Sequence, residues 1–149
     1  MAEVVIIGIG NRSRGDDGVG SKVVEMLSDL SNAKVINAGT VPENYIEPIL
    51  KEKPSRILLV DACKFGGQPG EFRLFPIGDF HQLISGGFST HTLSLAPLAE
   101  LLATESDARV WLLGIEPAET NLSEGISPMV NLALPAIVNF IRSWVTNPD

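Results

Sequence analysis

Residues 4–9 form an unbroken apolar run rich in β-branched side chains, stopped by Gly8, Gly10 and Asn11. That pattern predicts a buried strand feeding a turn. Across 18–30 the apolar positions Val19, Val23, Val24, Met26, Leu27 and Leu30 recur at helical spacing and leave Lys22, Glu25 and Asp29 for solvent, predicting a first helix. Residues 33–38 read as a short second strand that must turn at Gly39-Thr40. Pro42 suits a helix start, and 43–53 reads as a second helix in which Pro48 implies either a kink or an early first turn. The continuous apolar run 56–60, ending in Asp61, suits a strand in a sheet covered on both faces. After a loop at 63–70, the alternation over 71–75 predicts a fourth strand at an edge. Residues 77–90 are irregular, with Gly86-Gly87, and are a candidate lid. A third helix begins near His91 with Ser89 or Thr90 as cap, 109–115 is the last strand, and 127–145 is a closing helix with Pro128 in its first turn and Pro135 as a kink.

Strands alternate with helices for most of the length. The expectation is therefore an α/β protein: a three-layer α/β/α sandwich on a mostly parallel sheet of about five strands, with 71–75 as the antiparallel exception and the first strand central. A chain of 149 residues is one domain's worth, 1–149, and buries a core without disulfides.

Composition narrows the function classes. Hydrophobic residues make up 44% and charged ones 19%, which excludes a disordered chain. The single cysteine, Cys63, permits no internal disulfide and suits a reducing compartment. The first residues carry no basic run, and no stretch reads as the roughly 20 apolar residues of a membrane span, so a soluble, cytoplasmic protein without membrane insertion is expected. Eleven basic residues against 18 acidic ones give a net charge of −7, which disfavours nucleic acid and favours cations or a basic peptide as partners.

The loop after the first strand, Arg12-Ser-Arg-Gly-Asp-Asp17, delivers two adjacent carboxylates to the carboxyl edge of the sheet, where open α/β folds bind ligands. Gly8 and Gly10 open a dinucleotide-type pattern, but Ser13 holds the place of the third glycine and Asn37-Ala38 that of the ribose-binding acid. The carboxylates would also repel a pyrophosphate. Two readings remain: hard oxygen ligands for a cation, or caps of the first helix. Capping is the reading for Asp16, whereas Asp17 calls for corroboration from elsewhere in the chain. Asp61 at the end of the third strand and His91 at the start of the third helix supply it if their strands are neighbours. Asp17, Asp61 and His91 would then make a mixed oxygen and nitrogen site suited to nickel or zinc rather than magnesium. Taken singly, Asp61 reads as a turn cap and His91 as an exposed helix-start histidine. His81 reads as a surface residue and Cys63 as a buried structural thiol, and no G-x-S-x-G elbow supports a serine hydrolase.

The run Ile7-Gly-Ile-Gly-Asn11, then Gly15-Asp-Asp-Gly18, Gly39-Thr40, Leu59-Val-Asp-Ala62, Ser89-Thr-His91 and Leu113-Gly-Ile-Glu-Pro117 resembles the maturation endopeptidases of nickel-iron hydrogenases. The likeness runs in order over nearly the whole chain, and Thr40-Val-Pro-Glu-Asn44 looks most like the branch serving hydrogenases of the formate hydrogenlyase or related energy-converting type. The resemblance implies a peptidase that trims the C-terminus of the hydrogenase large-subunit precursor once nickel is inserted. It implies that the nickel comes with the substrate, with Asp17, Asp61 and His91 in the metal-contacting places and Asp17 as an allowed alternative to Glu. Asp17 or Asp61 is then the candidate general base. A monomer acting on that precursor is expected. The rivals are a metal-binding or chaperone-like factor that recognises the precursor without cutting it, and a nucleotide-binding α/β protein.

Overall fold

The computed structural model describes residues 2–80, 90–118 and 125–147, the side chains of 90–94 excepted. Its strands are β1 (Val4–Ile9), β2 (Lys34–Gly39), β3 (Arg56–Ala62), β4 (Phe72–Pro76) and β5 (Arg109–Ile115). Its helices are α1 (Val19–Glu25), α2 (Ile46–Lys51), α3 (Thr90–Glu105) and α4 (Pro128–Thr146), and short 3-10 turns cover Gly15–Gly18, Pro42–Tyr45 and Ile77–Asp79. One five-stranded sheet runs in the order β2-β1-β3-β5-β4, parallel except for β4, which pairs antiparallel with β5. The expected mixed α/β sandwich is thus observed, but the centre of the sheet is β3 and not β1. β1 and β3 are both buried at every position, and β2 and β4 alternate with exposed residues and form the edges; β3 is central because β5 pairs along its whole length.

Alternation along the inner strands feeds two cores. Val5, Ile7, Ile57, Leu59, Val110 and Leu112 face α2 and α3, packing with Ile49, Leu98 and Leu102. On the opposite face Ile6, Leu58, Val60, Leu113 and Ile115 pack with Val19 and Val23 of α1 and with Leu134, Ile137 and Ile141 of α4. By length and composition alone, α4 is apolar enough to cross a membrane. Its buried residues Val130, Leu134, Ile137, Val138, Ile141 and Val145 nevertheless fall on one stripe against the sheet, and Asn131 and Asn139 lie exposed, so it serves here as a core helix. At its far end, the Arg56 guanidinium donates to the carbonyl oxygens of Trp144 (2.9 Å) and Val145 (3.0 Å) and lies 4.4 Å from the centre of the Trp144 ring. A cation placed on the last carbonyls of a helix satisfies them and complements the dipole.

Several boundaries differ from the sequence reading. α1 stops at Glu25 rather than Leu30, and the chain continues in turns, although Leu27 stays fully buried. Pro48 is the third residue of α2, within the first turn, where a missing N–H costs no intrahelical bond. Pro135 and Pro97 lie inside α4 and α3. Of the candidate lid at 77–90, residues 81–89, His81 among them, lie outside the described residues.

α1 approaches the sheet backbone to backbone. A Cβ on Gly20 would stand 2.2 Å from the carbonyl oxygens of both Ile9 and Val60, and one on Gly8 would stand 2.4 Å from that of Gly20. Ala is normally the better helix former. Gly20→Ala is therefore expected to reverse the usual sign and destabilise by at least the roughly 1–3 kcal/mol of an overpacked core, read as a lower urea midpoint. An unchanged midpoint would show that α1 can move away from the strands without cost.

Candidate active site

From β1 the chain crosses to β2 on one side, and from β2 it returns past β1 to β3 on the other. The carboxyl ends of β1 and β3 therefore flank a switch point, the place where loops diverge and leave a crevice. The loop after β1 closes on itself there. Gly10 N–H donates to the Gly39 carbonyl (2.9 Å), Asn11 N–H to the Asp17 carbonyl (3.1 Å), and Asp17 N–H to the Arg14 carbonyl (3.1 Å). The Asn11 side chain accepts from Ser13 N–H at 2.9 Å. A Cβ on Gly10 would lie 2.2 Å from the Asp17 oxygen, so a glycine lets the loop fold back this far.

A pocket of about 670 Å³ opens at this crevice. Asp17 and Asp61 both line it, 6% and 1% exposed. Asp61 lies within β3 rather than after it, paired in register with Gly114 of β5, and its Oδ1 accepts from Ala62 N–H at 2.8 Å. The opposite wall is apolar, built from Ile46 of α2 and from Leu95, Leu98 and Leu101 of α3. His91 is the second residue of α3, one turn before Leu95; its side chain lies outside the described residues. Among the described residues no three His, Cys, Asp or Glu side chains gather as a metal site. Two of the three expected site residues therefore share one pocket, and the third is placed by its backbone alone. The sequence reading missed Arg14 and Glu43, which also line the pocket; among the described residues it then holds three carboxylates against one guanidinium. Glu43 reaches it from the turn after β2, directly behind Pro42, a position that chain order alone does not tie to Asp17.

Asp16 corrects an expectation. It does not cap α1, whose start has no side-chain cap. It is fully buried and turned toward the other end of the chain: Oδ1 accepts from Ser127 N–H (2.7 Å), and Oδ2 from Ala118 N–H (2.8 Å) and the Ser127 hydroxyl (2.6 Å). Ser127 precedes the first turn of α4, so this carboxylate sits at the start of the longest helix, where negative charge is favoured.

The family model named HycI, described as hydrogenase maturation protease, matches residues 19–144. The chain belongs to the hydrogenase maturation protease family. It is a peptidase. The chain is 30% identical over 145 residues to the hydrogenase 3 maturation protease of Escherichia coli, covering 96% of this chain and 91% of that one. It also resembles the crystal structure of the NiFe hydrogenase maturation protease HycI from Thermococcus kodakarensis, with a TM-score of 0.84, 32% identity, and coverage of 98% and 94%. The maturating endopeptidase HybD of E. coli, at 19% identity and a TM-score of 0.83 over 99% and 94% of the two chains, shares the fold.

One further motif has a structural reading in this maturation protease. Glu116, from Leu113-Gly-Ile-Glu-Pro117, is buried, and its Oε1 accepts from both Phe65 N–H and Gly67 N–H at 2.9 Å. It thereby holds the loop that leaves β3 just beyond Asp61. Cys63 in that loop is buried as expected, its N–H donating to the Ile115 carbonyl at 2.9 Å. Because one oxygen takes both bonds, Glu116→Gln can keep them through its amide oxygen, whereas Glu116→Ala leaves buried N–H groups unpaired. Chemical denaturation is expected to show a loss of roughly 1–3 kcal/mol for Ala and under about 1 kcal/mol for Gln. Equal losses for the two would mean the carboxylate charge, not the acceptor geometry, holds the loop.

Proposed function

We propose that this protease removes the C-terminal extension of a nickel-loaded NiFe hydrogenase large-subunit precursor, and that Asp17, Asp61 and His91 recognise the nickel carried by that substrate. The observation that carries the reading is the convergence of Asp17 and Asp61, from separate strands, on one pocket at the switch point of the sheet. The pocket's excess of carboxylates favours a cationic guest, and its apolar wall offers a surface for the peptide beside it. A kinship with proteins named hydrogenase maturation proteases supports the substrate class.

Hydrolysis needs a water oxygen to bond to the scissile carbonyl carbon while a base removes its proton. Asp17 or Asp61 takes that proton and returns it to the nitrogen as the C–N bond breaks; the new carboxyl group then gives its remaining proton to the amine, leaving a carboxylate on the large subunit and an ammonium on the released peptide. Two buried oxygen donors and one imidazole leave vacant coordination positions. The substrate's own ligands fill them, so the protease reads the loaded state without holding nickel tightly itself.

Mixing purified protease with nickel-loaded precursor should release one C-terminal peptide, seen by mass spectrometry, while nickel-free precursor stays whole. Asp17→Asn and Asp61→Asn should each slow cutting by about 10²-fold or more at an unchanged melting temperature, in the range expected for loss of an acid–base group. His91→Ala should impair cutting of the loaded precursor. Tight nickel binding by the protease alone, together with cutting of nickel-free precursor, would falsify this mechanism. An intact loaded precursor bound stably by the protein would favour a chaperone instead.

A further inference from the structure

We infer that Asp16 is the positioning residue of the site: it fixes the orientation of Asp17 by anchoring the shared turn to the segment that follows β5 and to the start of α4. This rests on the reading above, in which Asp17 acts in the pocket.

The two carboxylates are adjacent on one 3-10 turn yet have separate surroundings. Asp17 lines the pocket, whereas Asp16 is fully buried and accepts three hydrogen bonds from Ala118 and Ser127, more than 100 positions away in the chain. Bonds to an ionised acceptor are short and strong, and those to Ser127, at 2.6 and 2.7 Å, are at the short end of the range. The turn's backbone bonds, from Asn11 N–H to the Asp17 carbonyl and from Asp17 N–H to the Arg14 carbonyl, stay within the first loop. The turn begins with Gly15 at a φ of 57°, and no side chain caps it. Ser127 also departs from habit, since an N-cap serine ordinarily bonds back to its own helix, and this one makes no such cap. Its hydroxyl donates to Asp16.

The arrangement requires a carboxylate rather than an isosteric amide. Oδ1 and Oδ2 each accept from a different backbone N–H, of Ser127 and Ala118. An asparagine has a single acceptor oxygen, so either orientation sets its NH₂ against one of those donors. The turn must then move, and Asp17 moves with it because the two residues share a peptide bond. Local capping of α1 would predict none of this coupling between the first loop and α4.

The test uses Asp16→Asn and the milder Ser127→Ala, which removes one donor, with Ser127→Thr as the conservative rescue. Folding of each is checked by cooperative thermal unfolding. On nickel-loaded precursor, Asp16→Asn should lower kcat at least tenfold with KM within about twofold, and Ser127→Ala should lower kcat severalfold, restored by Thr. Independently of activity, the ¹³C carboxyl resonance of Asp17 at fixed pH should shift in Asp16→Asn and Ser127→Ala. It should not shift in Arg142→Ala, which breaks the distant Arg142–Asp29 pair. If Asp16→Asn does not fold, Ser127→Ala and its rescue decide. A wild-type protein that leaves loaded precursor whole sinks the proposed function and the inference that rests on it. Wild-type cutting, with folded variants that cut at the wild-type kcat and leave the Asp17 resonance unmoved, overturns the positioning role alone.

Discussion

The contact between the backbone of α1 and the carboxyl ends of β1 and β3 sets the geometry on which the site depends. Gly20 lies against the carbonyl oxygens of Ile9 and Val60, each immediately before the segment that carries a pocket carboxylate. A helix held off by even one methyl group would widen the crevice between those strands and carry the Gly15–Gly18 turn outward with it. Glycines at 8, 10 and 20 therefore serve close approach. A dinucleotide site uses glycines for a similar purpose, but here the space they release is taken by the protein's own carbonyls.

Around that contact the acidic residues divide their work by what surrounds them. Asp16 faces backbone N–H donors and a hydroxyl, and Glu116 faces two backbone N–H groups. Both are structural acceptors that tie loops to distant parts of the chain. Asp17 and Asp61 face the pocket. Burial alone does not separate the two groups, since all four are less than a tenth exposed. What separates them is place: Asp16 and Glu116 bind backbone donors of distant segments, whereas Asp17 and Asp61 line the pocket.

Periodicity carried most of the fold, because the residues that alternate in the sequence are those that alternate between the two cores. All five strands, their boundaries within a residue or two, and the antiparallel fourth strand were legible in this way. Strand order was less so. Nothing local tells β3 from β1 as the centre, since both are continuous apolar runs and the distinction lies in β5 pairing along the whole of β3. Helix length failed at α1 because Met26 and Leu27 continue the apolar spacing through turns that are no longer α-helical. At the site, Asp61 was legible as an acid ending a strand and Asp17 as one of an acidic pair in the loop after the first strand. Arg14 and Glu43 were not, since their approach to the pocket is made by tertiary packing.

Asp16 shows the same limit from the other side. An acid just before a helix is a sound capping signal, and the residue does sit at a helix start, but the helix is α4, from the far end of the chain. Sequence spacing records only neighbours in the chain, so it assigned the nearest helix to a carboxylate whose charge is satisfied by the most distant one. The consequence reaches the chemistry. The first loop is short and glycine-rich, and on its own it would sample many orientations of two acidic side chains. Tying one of them to α4 removes that freedom, and so holds the turn that carries Asp17 at the wall of the pocket.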